Sequence, residues 1–268
     1  MVPHHVETGT TVKTSADNTI DELEQQILAE CDYGREAANI AYFGEQLRSL
    51  PFVEVPKVHA RLSTDVVLTM SVVQGVHIDE FLSTKPSQKL RNLVGERLFE
   101  LFYFQLLHME ALHADPHWGN YLFRSDGTVG LVDFGCVKYF TTEFMDSMRR
   151  VFLYSGPRDS EDFRSILAIR YAGSGVRLTA AMHRALAEMS VQFYGRVYPP
   201  DPRDDAKPFD FSDESFLKDY IRGASQLARV KGTLPEYVML GRAETGLYQT
   251  LHRLEAVVHT SAIVRKYL

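Results

Sequence analysis

The segment from Gln88 to Leu112 constrains the fold of this chain more than any other part of the sequence. Its spacing predicts one long helix, and between Leu98 and Leu107 apolar residues occupy nearly every helical face. A helix of this kind must be covered on all sides, so we expect it at the centre of a domain. Glu100 and Gln105 interrupt the apolar part, which is also too short to span a membrane.

Composition places the chain among ordinary globular proteins. Of its 268 residues 45% are apolar, which argues against disorder, and 29 basic against 35 acidic residues give a net charge of −6. That balance indicates no nucleic-acid partner, and two cysteines exclude a disulfide scaffold. The first residues, Met1 to Ala16, lack the basic start and apolar core of a secretory signal. We therefore expect a protein of the cytoplasm or of a membrane surface, without a signal peptide or transmembrane helix.

The remaining pattern predicts an α+β fold that is mainly α, with short β-hairpins. A helix is expected from Asn18 or Thr19 to just before Pro51, and a short one from Ile78 to Leu82. Two hairpins are expected from paired apolar runs, and everything after Thr141 has helical spacing. The hairpin runs are 57–62 with 66–71 and 121–124 with 129–132; the later helices are 143–154, 160–171, 179–194, 213–230 and 235–259.

Candidate chemistry lies in the run from His113 to Asn120 and in Asp133, which opens an Asp-Phe-Gly sequence. Asp115 and Asn120 share one loop at the end of the buried helix, and the hairpin that follows returns Asp133 toward it. Phosphoryl transfer needs such a set: one carboxylate orients the attacking hydroxyl, while an amide oxygen and a second carboxylate hold Mg²⁺. A zinc or di-metal hydrolase is the weaker alternative for His113 and His117, because no distant histidine cluster completes a metal shell.

The chain resembles the ABC1/UbiB family of atypical protein-kinase-like proteins, also called AarF or ADCK. The run from Glu30 to Asn39 (ECDYGREAAN), the run from His113 to Asn120 (HADPHWGN) and the Asp133-Phe134-Gly135 triplet carry the resemblance, which extends from about Ile20 to the C-terminus. It implies a protein-kinase-like large lobe. It also implies kinase or ATPase activity with Mg²⁺ and ATP or ADP, linked to isoprenoid-lipid metabolism of the coenzyme Q type. Enzymes of that metabolism and a membrane surface are the implied partners.

The resemblance also implies roles for individual residues. Asp115 matches the catalytic aspartate, and Asn120 and Asp133 match the magnesium ligands. Glu36 matches the glutamate that pairs with a nucleotide-binding lysine. The remaining positions are adenine contacts of a hinge within 70–75 and residues that support the motifs. They are Met70, Val72 and Val73 for the hinge, and Glu30, Asp32, His113 and Gly135 for motif support.

The sequence departs from the family pattern before Glu36. No glycine- or alanine-rich phosphate loop is present there, and Lys13 is the sole upstream lysine, in a segment without strand character. We therefore expect a flexible tail (1–17), a small-lobe remnant (18–75) and a helical large lobe (76–268), truncated and without a complete nucleotide site. A non-catalytic pseudokinase scaffold is one alternative. An aminoglycoside-type phosphotransferase is another, disfavoured by the helix around Glu36.

Overall fold

The computed structural model describes residues 32–115, 117–172, 174, 176–199, 201–231 and 233–268. Among these residues helix α1 (Tyr33–Gln46) comes first, and the side chain of Asp32 caps it by accepting the backbone N–H of Arg35 at 2.9 Å. The sequence predicts helical character through this position, with a bend at Gly34 or Gly44, so the capped start at Asp32 is a difference from that prediction. The predicted cap at residues 18–19 lies outside the described residues.

The apolar helix lies at the centre of the core. After a short helix α2 (Ile78–Ser83), helix α3 (Gln88–Tyr103) is buried mainly from Val94 onward and continues as wider π-helical turns over Phe104–His108. The chain then leaves the helix at Glu110, which has a positive φ of 52°, and enters a strand. The central helix is therefore confirmed, and its expected end at Leu112 is wrong.

Two small sheets frame the loop that follows. Strand β2 (Ala111–His113) pairs antiparallel with β5 (Val137–Tyr139). In the second sheet β3 (Tyr121–Phe123) and β4 (Val129–Leu131) form the predicted hairpin. Strand β1 (Val53–Glu54), which the sequence analysis did not predict, pairs parallel with β4. The outcome is a pair of sheets that hold the segments on both sides of residues 114–120.

The other predicted hairpin is present only in an irregular form. Val58 and Met70 form an isolated antiparallel bridge, and the backbone N–H of His59 donates to the carbonyl of Thr69. A 3₁₀ turn over Ala60–Leu62 replaces the end of the first expected strand. A two-stranded ribbon of this kind has marginal stability in isolation, which fits its irregular pairing.

Helices dominate the C-terminal half, as predicted, so the mainly α fold class is confirmed. These helices are α4 (Thr142–Leu153), α5 (Glu161–Tyr171), α6 (Ala180–Met189) with π-helical turns over Ser190–Tyr194, α7 (Gly195–Val197), α8 (Glu214–Arg229), α9 (Pro235–Arg253) and α10 (Thr260–Arg265). The last long helix was expected to continue to His259, and this end is wrong because the helix stops at Arg253. Instead β7 (Val257–Val258) pairs with β6 (Phe209–Asp210), two short strands that the sequence analysis missed.

Close contact joins α3 to the segment before β7. A Cβ atom placed on Gly95 would lie only 2.5 Å from the Cβ of Ala256, so the backbones approach as closely as glycine permits. Among the described residues, the model contains no helix with the length and apolar character that a membrane crossing requires.

Candidate phosphoryl-transfer site

The loop between β2 and β3 brings Asp115 and Asn120 into direct contact. The Nδ2 group of Asn120 donates to Oδ2 of Asp115 at 2.7 Å, across a single 3₁₀ turn over Trp118–Asn120. The loop is anchored at its start because the backbone N–H of Ala114 donates to the carbonyl of Cys136 at 2.9 Å. Asn120 is buried, whereas Asp115 is half-buried and faces the open side of the loop.

Arg242 of helix α9 also reaches Asp115. Its Nη2 group lies 3.2 Å from Oδ1 of Asp115, so the two carboxylate oxygens are held by two different elements. The backbone N–H of His117 makes a longer contact of 3.4 Å with the same Oδ1. The arrangement fixes the orientation of the carboxylate while leaving it partly open to solvent.

Asp133 lies at the end of strand β4, in the Asp-Phe-Gly turn. Its backbone has a positive φ of 67°, a strained conformation for a residue with a side chain, and its Oδ1 accepts the backbone N–H of Gly135 at 3.0 Å. The backbone carbonyl of Asp133 accepts Nε2 of His113 at 2.6 Å. Asp133 is therefore held by one hydrogen bond within the turn and one from β2.

His113 is fully buried behind these two loops. Burial lowers its pKa, and the hydrogen bond to Asp133 and the charges of Asp133 and Asp115 oppose that effect. A neutral imidazole with its proton on Nε2 therefore donates to the Asp133 carbonyl, while the buried Nδ1 has no partner among the described residues. The backbone N–H of His113 donates to Oε1 of Gln105, the buried amide of the π-helical turns.

Helix α1 contacts the Asp-Phe-Gly turn through two buried polar side chains. Oε1 of Glu36 accepts the backbone N–H of Phe134 at 3.2 Å, and Nδ2 of Asn39 donates to the Phe134 carbonyl at 2.8 Å. Burial raises the pKa of Glu36; the hydrogen bond from Phe134 lowers it and the Asp133 charge raises it. No lysine or arginine of the described residues forms an ion pair with Glu36, so its pairing with a lysine stays a prediction.

Asn120 and Asp133 present oxygen donors from the same end of the β3–β4 hairpin. The backbone N–H of Val132, the residue before Asp133, donates to the Asn120 carbonyl at 3.0 Å. Because Nδ2 of Asn120 is engaged with Asp115, its Oδ1 is the amide atom left for a cation. Amide and carboxylate oxygens fit Mg²⁺ in chemical type. Within the described ranges no group of three or more His, Cys, Asp or Glu is arranged as a metal site, and His113 and His117 make separate contacts.

The predicted hinge follows an extended path beside the hairpin. Val72 is 78% exposed, whereas Val73 is buried against Gly130 of β4. In the described part of the chain the backbone groups of both valines form no hydrogen bond, and Met70 is bridged to Val58. An adenine contact at these residues stays a prediction.

The other two predicted support residues are Glu30 and Asp32. Glu30 is outside the described residues, and Asp32 acts as the N-cap of α1. The sequence analysis assigned no role to Gln105, Asn39 or Arg242, which all contact the site. A buried glutamine in an otherwise apolar helix was the one signal available for Gln105.

A comparison with protein families shows the family to which this chain belongs. The sequence model of the ABC1 atypical kinase-like domain matches residues 3–167, which is more than half of the chain. The chain belongs to the ABC1 family. The site residues Glu36, Asp115, Asn120 and Asp133 all lie inside the matched range, whereas Arg242 lies beyond it.

Two curated relatives agree with this family assignment. The chain is 27% identical over 255 residues to the mitochondrial atypical kinase COQ8 of Saccharomyces cerevisiae, a match that covers 93% of this chain and 49% of the relative. It is 36% identical over 132 residues to the mitochondrial atypical kinase COQ8B of Rattus norvegicus, covering 49% of this chain and 25% of the relative. The chain thus spans half or less of the length of these ABC1 relatives.

The solved structure is that of Rv3197 from Mycobacterium tuberculosis in complex with erythromycin. It superimposes with a TM-score of 0.63 at 21% identity, covering 98% of this chain and 63% of that protein. At this identity the likeness shows a shared fold alone.

Proposed function

We propose that this chain forms the catalytic part of an ABC1-type atypical kinase or ATPase that acts on magnesium-bound ATP or ADP. One observation carries the proposal: Asp115, Asn120 and Asp133 lie on two loops that His113, Gln105 and Val132 hold together by hydrogen bonds. An acid, an amide and a second acid in this arrangement are the groups that phosphoryl transfer requires.

Each side chain has a distinct task in this proposal. Asp115 accepts the proton of the attacking hydroxyl or water and orients it toward the phosphoryl group. Asn120 Oδ1 and the Asp133 carboxylate would hold Mg²⁺, which supplies positive charge to neutralise the phosphate oxygens. Arg242 keeps one oxygen of Asp115 occupied, and the neutral His113 fixes the backbone of Asp133.

The proposal extends to the biological setting through the family. Members of the ABC1/UbiB family are associated with isoprenoid-lipid metabolism of the coenzyme Q type, and the relatives named above are mitochondrial atypical kinases. We therefore propose lipid-modifying enzymes or a membrane surface, contacted peripherally, as partners of the whole protein.

Nucleotide-dependent stabilisation of the full chain tests the proposal. A ligand that binds only the folded state at 100 times its Kd stabilises that state by about 3 kcal/mol, so Mg-ADP is expected to raise the Tm clearly. The increase should vanish with EDTA and in Asp133→Asn. Asp159→Asn is the matched control, because Asp159 is exposed and lies far along the chain from the site.

Turnover separates the roles of the two acids. Asp115→Asn is expected to retain Mg-nucleotide binding while ATP turnover falls by about 10²–10⁴-fold, the usual contribution of a positioned base. A folded chain that binds no nucleotide would contradict the proposal and favour the pseudokinase scaffold. An unchanged Mg-ADP shift in Asp133→Asn would contradict the magnesium assignment.

A further inference from the structure

A second, separate cavity lies inside the helical half of the molecule. It has a volume of about 120 Å³ and is enclosed by α4, α5, α6, α8 and α9. Most of its wall is apolar, with side chains such as Met148, Leu167, Leu186 and Leu227. An apolar protein cavity of about 150 Å³ can hold one benzene ring, so the space suits a ligand with a single ring.

One carboxylate lies in the wall of this cavity. Glu244 of α9 is 3% exposed, and its Oε2 accepts the hydroxyl of Tyr220 at 3.0 Å and that of Tyr194 at 3.4 Å. Burial raises the pKa of Glu244 to about 7, and these two hydroxyls oppose the increase. No cationic side chain of the described residues forms an ion pair with Glu244, which leaves a buried acid without a counter-charge.

Buried carboxylates are costly unless a cation and further hydrogen bonds compensate for lost hydration. A carboxylate can accept about four hydrogen bonds, and the two hydroxyl donors supply only some of them. The cavity wall therefore contains a carboxyl group with unused acceptor capacity, and no cation in the described part of the protein compensates for its charge when it ionises.

Aromatic rings surround the same space. The rings of Tyr194, Tyr198, Tyr220 and Tyr237 all line the cavity. The face of an aromatic ring attracts a cation, and a cage of rings beside a carboxylate is a favourable site for an ammonium group.

The two arginines of the wall are engaged elsewhere. Arg170 donates to Ser147 and to the hydroxyl of Tyr237, and Arg158 donates to the carbonyl of Val151 while its guanidinium stacks on Phe163. These contacts satisfy donors of both guanidinium groups, so neither provides the counter-charge of Glu244.

An open groove next to the phosphoryl-transfer loop shares part of its wall with the cavity. Tyr220, Ala224 and Gly241 line both the cavity and this groove, which also includes Trp118 and Arg242. These three residues therefore form the wall that the groove and the enclosed space share.

We propose that this cavity is a binding site for a small primary amine whose apolar part is about one ring in size, with its ammonium group on Glu244 and its ring among the apolar side chains. The site is distinct from the phosphoryl-transfer site, and the proposal does not depend on nucleotide chemistry.

Calorimetric titration of the full chain at about pH 8 tests the proposal, because at that pH both Glu244 and an alkyl ammonium carry charge. The probes are benzylamine, benzyl alcohol and benzoate, which share a ring and differ in their polar group. Benzylamine is expected to bind, and the other two to bind at least about tenfold more weakly, as expected for one compensated buried charge.

Two variants identify the site. Glu244→Gln keeps the shape and removes the charge, so benzylamine affinity should fall by about tenfold or more, whereas Glu188→Gln, an exposed control on α6, should leave it unchanged. Leu186→Phe adds a ring to the cavity and should abolish binding in a chain whose circular dichroism spectrum is native.

Three results would overturn the proposal. They are the absence of benzylamine binding to the wild-type chain, equal binding by folded Glu244→Gln, and binding of benzyl alcohol or benzoate as strong as that of benzylamine. Preferred benzoate binding would assign the cavity to an anion held by the arginines instead.

Discussion

The amide of Asn39 joins helix α1 to the Asp-Phe-Gly turn, because its Nδ2 donates to the Phe134 carbonyl at 2.8 Å and its Oδ1 accepts the hydroxyl of Tyr139 at 2.8 Å. The two partners lie 95 and 100 positions further along the chain. One buried side chain therefore fixes α1 both to the turn that presents Asp133 and to strand β5.

Replacing Asn39 with alanine should destabilise the fold by about 2 kcal/mol, since the buried Phe134 carbonyl loses its partner. Tyr139→Phe removes only the second hydrogen bond, from a half-exposed ring, and should cost less than about 1 kcal/mol. Urea denaturation measures both values. Because Asn39→Ala removes both hydrogen bonds, equal losses in the two variants would show that the bond to Phe134 contributes no stability.

Replacing Gly95 with alanine should destabilise the fold by about 1–3 kcal/mol, because the new Cβ would lie 2.5 Å from the Cβ of buried Ala256. The double variant Gly95→Ala with Ala256→Gly should recover part of this loss, which a double-mutant cycle detects. Gly44→Ala in α1 is the control: its new Cβ meets nothing closer than 3.8 Å. It should therefore stabilise the helix by up to about 1 kcal/mol. A neutral Gly95→Ala variant would contradict the close approach.

The buried Glu244 should make stability depend on pH. Its pKa is raised from 4.5 to about 7 in the folded state, so the folded state binds a proton that the unfolded state has already lost. The resulting cost is absent below about pH 4.5, grows as the pH rises and is complete above about pH 7, where it reaches about 3 kcal/mol. The adjacent hydroxyls of Tyr194 and Tyr220 stay protonated in this range, since burial raises their pKa values.

Glu244→Gln should remove this cost, so the variant gains stability over the wild-type chain as the pH rises from about 5 to about 8. Urea denaturation across that range gives the free energy of unfolding of each protein as a function of pH. The difference between the two proteins isolates Glu244, because all other groups titrate in both. Parallel curves would mean that the carboxyl of Glu244 has an ordinary pKa.

Periodicity predicted the elements whose pattern is purely local. The buried helix around Phe99, the hairpin of β3 and β4 and the order of the C-terminal helices could all be derived from spacing. The transition from α3 to β2 could not, because an apolar run such as residues 104–112 has no periodicity that separates a helix from a buried strand. Its end depends on pairing with β5, which comes more than twenty residues later.

The same distinction applies to the site. The spacing of Asp115 and Asn120 predicted that they share a loop, and the structure shows their side chains in contact. The contact between Arg242 and Asp115 spans 127 positions, and no local pattern indicates which arginine of a long amphipathic helix would face the loop. Long-range contacts of this kind follow only from the packing of α9 against β2 and α3.

That contact also affects how relatives should be compared. The match to the ABC1 domain ends at residue 167, yet the guanidinium that orients Asp115 is contributed by α9, well beyond that boundary. Two homologues with identical acidic and amide positions can therefore differ in the cation opposite them. An inventory of active and inactive relatives should include the residue aligned with Arg242, and a shortened version for expression should retain α9.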